Sequence, residues 1–180
     1  MSLNETGCRQ AERLTVALSS EPIVAVYSSP LSRTLETARP IAAAHGLKVQ
    51  IEPGLIEMDI GELDGLTFAE VRERYPGLLA VWIGQKGPEH AIPGGERLID
   101  VRERATGAVR SLAEHHLGET ICAVSHNFVI LSLVAEILSI DLSGFRRLRH
   151  AVAGITTIEV NGDRWRILRF NDTCHLAPEG

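Results

Sequence analysis

The chain has 180 residues, 44% of them hydrophobic and 23% charged, with a mean hydropathy of +0.06. That composition excludes a disordered or collagen-like chain, and the length suffices for a sizeable core within one domain. Eighteen basic against 23 acidic residues leave a net charge of −5, which disfavours broad nucleic-acid binding but permits an anionic ligand in a local basic pocket.

Helix and strand patterns alternate along the chain. Ala11, Leu14, Ala17 and Leu18 recur at helical spacing, predicting a helix from Thr6 to about Ser19 with Thr6 as N-cap. Ile23 to Tyr27 is a continuous apolar run, as in a strand covered on both faces. Pro30 then opens a helix over Leu31 to His45, with Gly46 as the residue that ends it. Lys48 to Glu52 reads as a further strand. A loop punctuated by Gly54, Gly61 and Gly65 follows, from Pro53 to Leu66. Thr67 and Glu70 have capping-box spacing, so a helix starts there and stops before Pro76. Leu78 to Gln85 reads as a short helix and Pro93-Gly94-Gly95 as a turn. Leu98, Val101, Ala105, Ala108, Val109 and Leu112 mark a long helix ending near Gly118. Thr120 to Val124 is a second strand of buried type, followed by an apolar helix from Phe128 to Leu138. Ile155 to Val160 and Trp165 to Phe170 flank Asn161-Gly162-Asp163, a β-hairpin signal.

These elements predict one α/β domain over residues 1–180. Its mostly parallel central sheet has helices on both faces, in a three-layer sandwich, with a C-terminal antiparallel hairpin. Cys8, Cys122 and Cys174 are an odd number at wide spacing without a Cys-x-x-Cys, which fits a reducing cytoplasm. The N-terminus lacks signal-peptide character, and the most apolar run, Phe128 to Ala135, is too short to span a bilayer. Met1-Ser2 and Glu179-Gly180 read as cloning scars.

In open α/β sheets, ligands bind beyond the C-terminal ends of the strands. Two strand ends here carry polar groups: Ser28-Ser29-Pro30-Leu31-Ser32-Arg33 and Ser125-His126-Asn127. A Ser-rich turn into a helix N-terminus suits an anion, and Arg33 in the first turn adds a guanidinium fork. Alternatively Arg33 is a solvated surface residue touching Thr37. His126 is either a core histidine bonded to backbone or an acid, base or phosphate ligand. Ser125 and His126 do not form a Ser–His pair, because neighbours on a strand point to opposite faces. Glu57, Asp59, Glu62 and Asp64 are an acidic cluster: a solvated loop, a weak cation site, or the source of a carboxyl that protonates a leaving alkoxide. From the residues alone, the reading is an α/β domain with an anion site.

Taken together, the motifs resemble the histidine phosphatase superfamily, the phosphoglycerate-mutase-like enzymes. They are Ser28 to Ala38, Glu57-x-x-x-Gly61-x-x-x-Gly65, Pro93-Gly-Gly-Glu96 and Val124-Ser-His126, with Asn4-Glu-Thr-Gly7-x-x-Gln10-Ala11 before them and Asn171-Asp-Thr-x-His175-Leu176 after. The resemblance covers essentially the whole chain. It implies hydrolysis of a phosphomonoester through a phosphohistidine, with no metal or cofactor. Arg33 would bind the phosphoryl group, His126 would neutralise its charge, and Glu57 would protonate the leaving group. Asn127, standing where a glycine is common, would present its backbone N–H to the phosphate. The implied partner is a small phosphorylated metabolite, neither nucleic acid nor membrane. The branch is the broad-specificity or alpha-ribazole-phosphatase-like one. A mutase-type phosphotransferase is the second reading, and a non-catalytic phospho-ligand binding module the third.

One departure accompanies the resemblance. The family's nucleophile lies in an Arg-His-Gly triplet closing its first strand, and no Arg-His-Gly occurs in these 180 residues. Arg149-His150-Ala151 follows the wrong element and lacks the glycine. The resemblance therefore implies an absent first strand, through a reading frame begun too far downstream or through natural loss, and an inactive chain. It also implies open strand edges closed by rearrangement or by a homodimer. Substrate choice would lie in the segment from Thr67 to His90.

Overall fold

The computed structural model describes residues 1–177; the pair Glu179-Gly180 lies outside them. Six α-helices are described: α1 (Glu5–Leu18), α2 (Ser32–Ala44), α3 (Phe68–Arg74), α4 (Leu78–Ile83), α5 (Leu98–His115) and α6 (Asn127–Ile137). The strands are β1 (Ile23–Ser28), β2 (Val49–Ile51), β3 (Thr120–Val124), β4 (Ile155–Asn161) and β5 (Arg164–Asp172). The first three form a parallel sheet in the order β2-β1-β3, and the last two an antiparallel hairpin.

The helices cover two faces. On one, Leu14 of α1 and Ala38, Ile41 and Ala42 of α2 bury Ile23 and Val26. On the other, Leu98, Val101 and Ala105 of α5 meet Val129, Leu131 and Leu133 of α6, with Tyr27 packed against them. The central layer is interrupted. Cys122 and Val124 of β3 pack on the α1/α2 cluster, as does Ile155 of β4, yet β3 and β4 share no ladder. The hairpin is thus a second sheet under the same helices.

Local sequence explains most boundaries. The capping box at α3 forms as its spacing requires, with the Thr67 hydroxyl and Glu70 carboxylate each holding the other's backbone N–H. Gly162 takes φ 57° in the hairpin turn. Two expectations change. The N-cap of α1 is Asn4, whose side chain accepts from the Gly7 N–H at 2.9 Å, and Thr6 lies inside the helix. The loop from Pro53 to Leu66 contains two 3-10 turns, Pro53–Leu55 and Gly61–Leu63. The buried-type reading of β3 is also corrected. Ala123 is exposed and Ile121, Cys122 and Val124 only half-buried, because the ladder ends on that side.

Candidate active site

The parallel strands β1 and β3 end level with one another, Ser28 opposite Val124. The ladder continues one step further, since the Ser29 N–H donates to the Val124 carbonyl at 3.1 Å. Each strand then leads into a helix, β1 into α2 and β3 into α6. Two helix N-termini with free backbone N–H groups therefore open side by side, an arrangement that favours an anion.

Arg33 sits in the first turn of α2, half-buried. Its guanidinium makes no ion pair or hydrogen bond among the described residues; the Thr37 hydroxyl donates only to the Arg33 carbonyl, at 2.9 Å. His126 caps α6 and is buried, 6% exposed. Burial lowers its pKa to about 4, helped by the positive charges of Arg33 and Arg104, so the imidazole is neutral at physiological pH. Asn127 is the first residue of α6 and is exposed.

Glu57 reaches the same place from the loop after β2. Ser125 clamps that loop, its hydroxyl donating to the Leu55 carbonyl at 2.8 Å. Burial raises the Glu57 pKa above the ordinary value; the Met58 and Phe128 N–H groups and then Arg33 and Arg104 pull the other way. Desolvation wins because it acts on the whole carboxylate. The structure thus places Arg33 within electrostatic reach of both Glu57 and His126. Of the other acidic residues, Asp59 accepts the Gly61 N–H and Glu62 the Tyr75 hydroxyl, and Asp64 is exposed. Among the described residues no group of three or more His, Cys, Asp or Glu side chains is placed to hold a metal ion.

Two residues at the site have no signal in the local sequence. Arg104 of α5 donates to the carbonyls of Gly54 (2.9 Å) and Glu57 (3.2 Å) and grips both oxygens of Glu96 (3.0 and 3.1 Å). Glu96 in turn accepts the Asp59 N–H at 2.9 Å. These bonds bolt the Glu57 loop to the Pro93–Glu96 turn. The two backbones run so close that a Cβ on Gly61, at φ 48°, would lie 2.3 Å from the Pro93 carbonyl oxygen. The second residue is Ser29, fully buried, whose Oγ lies 2.7 Å from His126 Nε2. Helical periodicity says nothing of the loop α5 faces, and a contact spanning 97 positions leaves no spacing to read.

Elsewhere, a cavity of about 340 Å³ near the end of α6 is lined by Glu89, Arg102, Glu136 and Asp141 among others. Its net negative lining suits a phosphate poorly. Phe128 stands edge-on to Trp82 of α4, centroids 5.7 Å apart, so the segment from Thr67 to His90 borders the site.

Residues 1–173 match the histidine phosphatase superfamily (branch 1). The chain belongs to that superfamily. It is 36% identical over 175 residues to phosphoserine phosphatase 1 of Hydrogenobacter thermophilus, covering 97% of this chain and 82% of the relative. Among solved structures it is similar to YhfR of Bacillus stearothermophilus, with TM-score 0.90 and 29% identity over 97% of this chain and 87% of that one. It is also similar to a mycobacterial glucosyl-3-phosphoglycerate phosphatase complexed with VO3, with TM-score 0.83 and 26% identity over 95% of this chain and 87% of that one. The family is one of enzymes, and its relatives here include phosphoserine phosphatases and a phosphoglycerate mutase-like protein of Arabidopsis thaliana.

The buried histidine carries a stability prediction. Its folded pKa of about 4 lies below the ordinary 6.5. The stability this group contributes is therefore present above pH 6.5 and lost as the pH falls through about 4. Wild-type protein should weaken with acid across that window, and His126→Asn should weaken less steeply. Urea unfolding of both at pH 7, 5.5 and 4.5 measures this, and the comparison cancels the opposite contribution of Glu57. Parallel slopes would remove His126 as the buried neutral base.

Proposed function

We propose that this protein is a phosphomonoester phosphatase working through a phosphohistidine, and that Arg33, Glu57, His126 and Asn127 are the parts of its site these 180 residues carry, the nucleophile and a second phosphate arginine lying in the Arg-His-Gly segment they do not contain. The observation that carries the reading is the half-buried, unengaged Arg33 guanidinium, facing a neutral imidazole and a carboxyl of raised pKa where two helices begin. Arg33 and the Asn127 N–H at the start of α6 bind phosphoryl oxygens. His126 donates a hydrogen bond to an oxygen on which charge develops, and Glu57 delivers a proton to the departing alkoxide. The nucleophilic imidazole comes from an Arg-His-Gly segment that the 180 residues do not contain. The substrate is a small phosphorylated metabolite, which the phosphoserine and glucosyl-3-phosphoglycerate phosphatase relatives support. The free cysteines Cys8, Cys122 and Cys174 support a cytoplasmic setting. Among the described residues no helix is long and apolar enough to cross a membrane.

A non-catalytic phospho-ligand binding module is the competing reading from another class. Both readings require anion binding at Arg33. Inorganic phosphate should bind the 180-residue chain weakly, and Arg33→Ala should lower that affinity by about tenfold or more, the worth of one charge-assisted hydrogen bond. Calorimetric titration of both forms checks this. Equal affinities would place the anion elsewhere and sink both readings.

A further inference from the structure

The buried hydroxyl of Ser29 has a determined set of partners. It closes β1 at full burial, with its Oγ 2.7 Å from His126 Nε2. The same Oγ accepts the Leu31 N–H at 3.3 Å. The neighbouring Ser28 hydroxyl donates to the Ser29 carbonyl at 2.8 Å, and the Thr34 hydroxyl lies 2.8 Å from the Leu31 carbonyl and 3.1 Å from that of Ser29. That fixes the turn from which the side chain projects. The other ring nitrogen of His126, Nδ1, has no hydrogen-bond partner among the described residues.

A serine hydroxyl has one proton to give and two lone pairs to fill. Were Nε2 protonated, the Oγ would accept from both Leu31 and His126, and its own proton would have no acceptor in a fully buried site. Such an orphan is costly. If the hydroxyl instead donates to Nε2, all three groups are satisfied at once. The ring is neutral, so it carries a single proton, and that proton is then left to Nδ1. We propose that Ser29 is a positioning residue which holds His126 in the Nδ1–H tautomer and so aims a fixed N–H donor at the bound phosphoryl group. The donor role rests on the phosphatase reading above; the tautomer does not.

The arrangement has a second consequence. With Nε2 occupied by Ser29 and Nδ1 protonated, His126 presents no free lone pair, so it can stabilise charge but cannot attack phosphorus. The division between a donor histidine and an attacking one is set by a hydroxyl on the neighbouring strand. A free imidazole side chain prefers its proton on Nε2, and Ser29 reverses that preference.

Long-range proton–nitrogen correlation NMR of the ¹⁵N-labelled 180-residue chain at pH 7 reads the tautomer directly, with His126 assigned by the signals lost in His126→Asn. The wild type should show Nδ1 protonated and Nε2 bare. Ser29→Ala should move the major form to Nε2–H, and titration with inorganic phosphate should show about tenfold weaker binding. Ser29→Thr, which keeps the hydroxyl, should retain the wild-type tautomer. A wild-type spectrum with Nε2 protonated overturns the proposal, and so does a folded Ser29→Ala protein with an unchanged tautomer. The wild-type spectrum alone decides if that variant does not fold. Because the spectrum is taken without phosphate, a failure of phosphate to bind would count against the phosphatase reading and leave the tautomer result standing.

Discussion

Assayed on an aryl phosphate, the 180-residue chain should turn over at least about 10⁴-fold more slowly than the same chain extended upstream by a strand ending in Arg-His-Gly. On the phosphatase reading, the groups present bind the phosphoryl group while the attacking imidazole belongs to the Arg-His-Gly segment that these 180 residues do not contain. His126 has Nε2 bonded to Ser29. His116 spans Tyr27 and Glu119, and His150 spans Thr156 and the Ala151 carbonyl. Transition-state stabilisation alone leaves only the residual catalysis typical of sites stripped of a nucleophile. An aryl leaving group needs little acid help, so the comparison isolates the nucleophile.

The same pair of chains should differ in size. Cys122 and Val124 of β3 and Ile155 of β4 pack on one cluster while the two strands leave each other unpaired. Strand edges of that kind seek a partner, and a second copy supplies one. Light scattering should find the short chain as a dimer or larger and the extended chain smaller. Comparable turnover by the two chains would overthrow the missing-nucleophile argument.

The sequence exposed features whose determinants are local. The capping box needs only Thr67 and Glu70, and the hairpin only Asn161-Gly162 between two alternating runs. Arg33 and His126 were legible as candidates because each follows an apolar strand directly, and strand ends are where α/β folds place ligands. What stayed hidden depends on partners remote in sequence. Asn4 displaces Thr6 as N-cap although either side chain could serve, and the start of the apolar face does not choose between them. Ser125, beside His126 in sequence, gives its hydroxyl to the Leu55 carbonyl. The hydroxyl that meets the imidazole comes from β1 and is set there by strand order, which no spacing records. Arg104 lies between Val101 and Ala105 on a helix whose core stripe was plain, but nothing along α5 tells that the guanidinium reaches carbonyls at positions 54 and 57.

Glu57→Gln should split substrates by their leaving groups. In the extended enzyme, loss of this carboxyl should slow esters of ordinary alcohols by about 10²–10⁴, the range for a general acid, and aryl phosphates far less. An alkoxide cannot depart without a proton, whereas a phenolate can. The structure supplies the means to keep that proton at hand, since burial raises the pKa of Glu57 even against Arg33, Arg104 and two backbone N–H groups. A raised pKa extends the protonated form toward neutral pH. The rate on alkyl esters should accordingly fall as the pH climbs through that raised value, giving the basic limb of a bell-shaped profile. In Glu57→Gln the limb should vanish while the acidic limb, set by the attacking imidazole, remains. Bound phosphate would push the pKa of Glu57 further up by like-charge repulsion, so the limb seen in kcat should lie at higher pH than that seen in kcat/KM. Rates of kcat/KM for an alkyl and an aryl phosphate from pH 4.5 to 9, in wild type and variant, make the measurement. Equal losses on both substrates, or a basic limb that survives the substitution, would show that some other group delivers the proton.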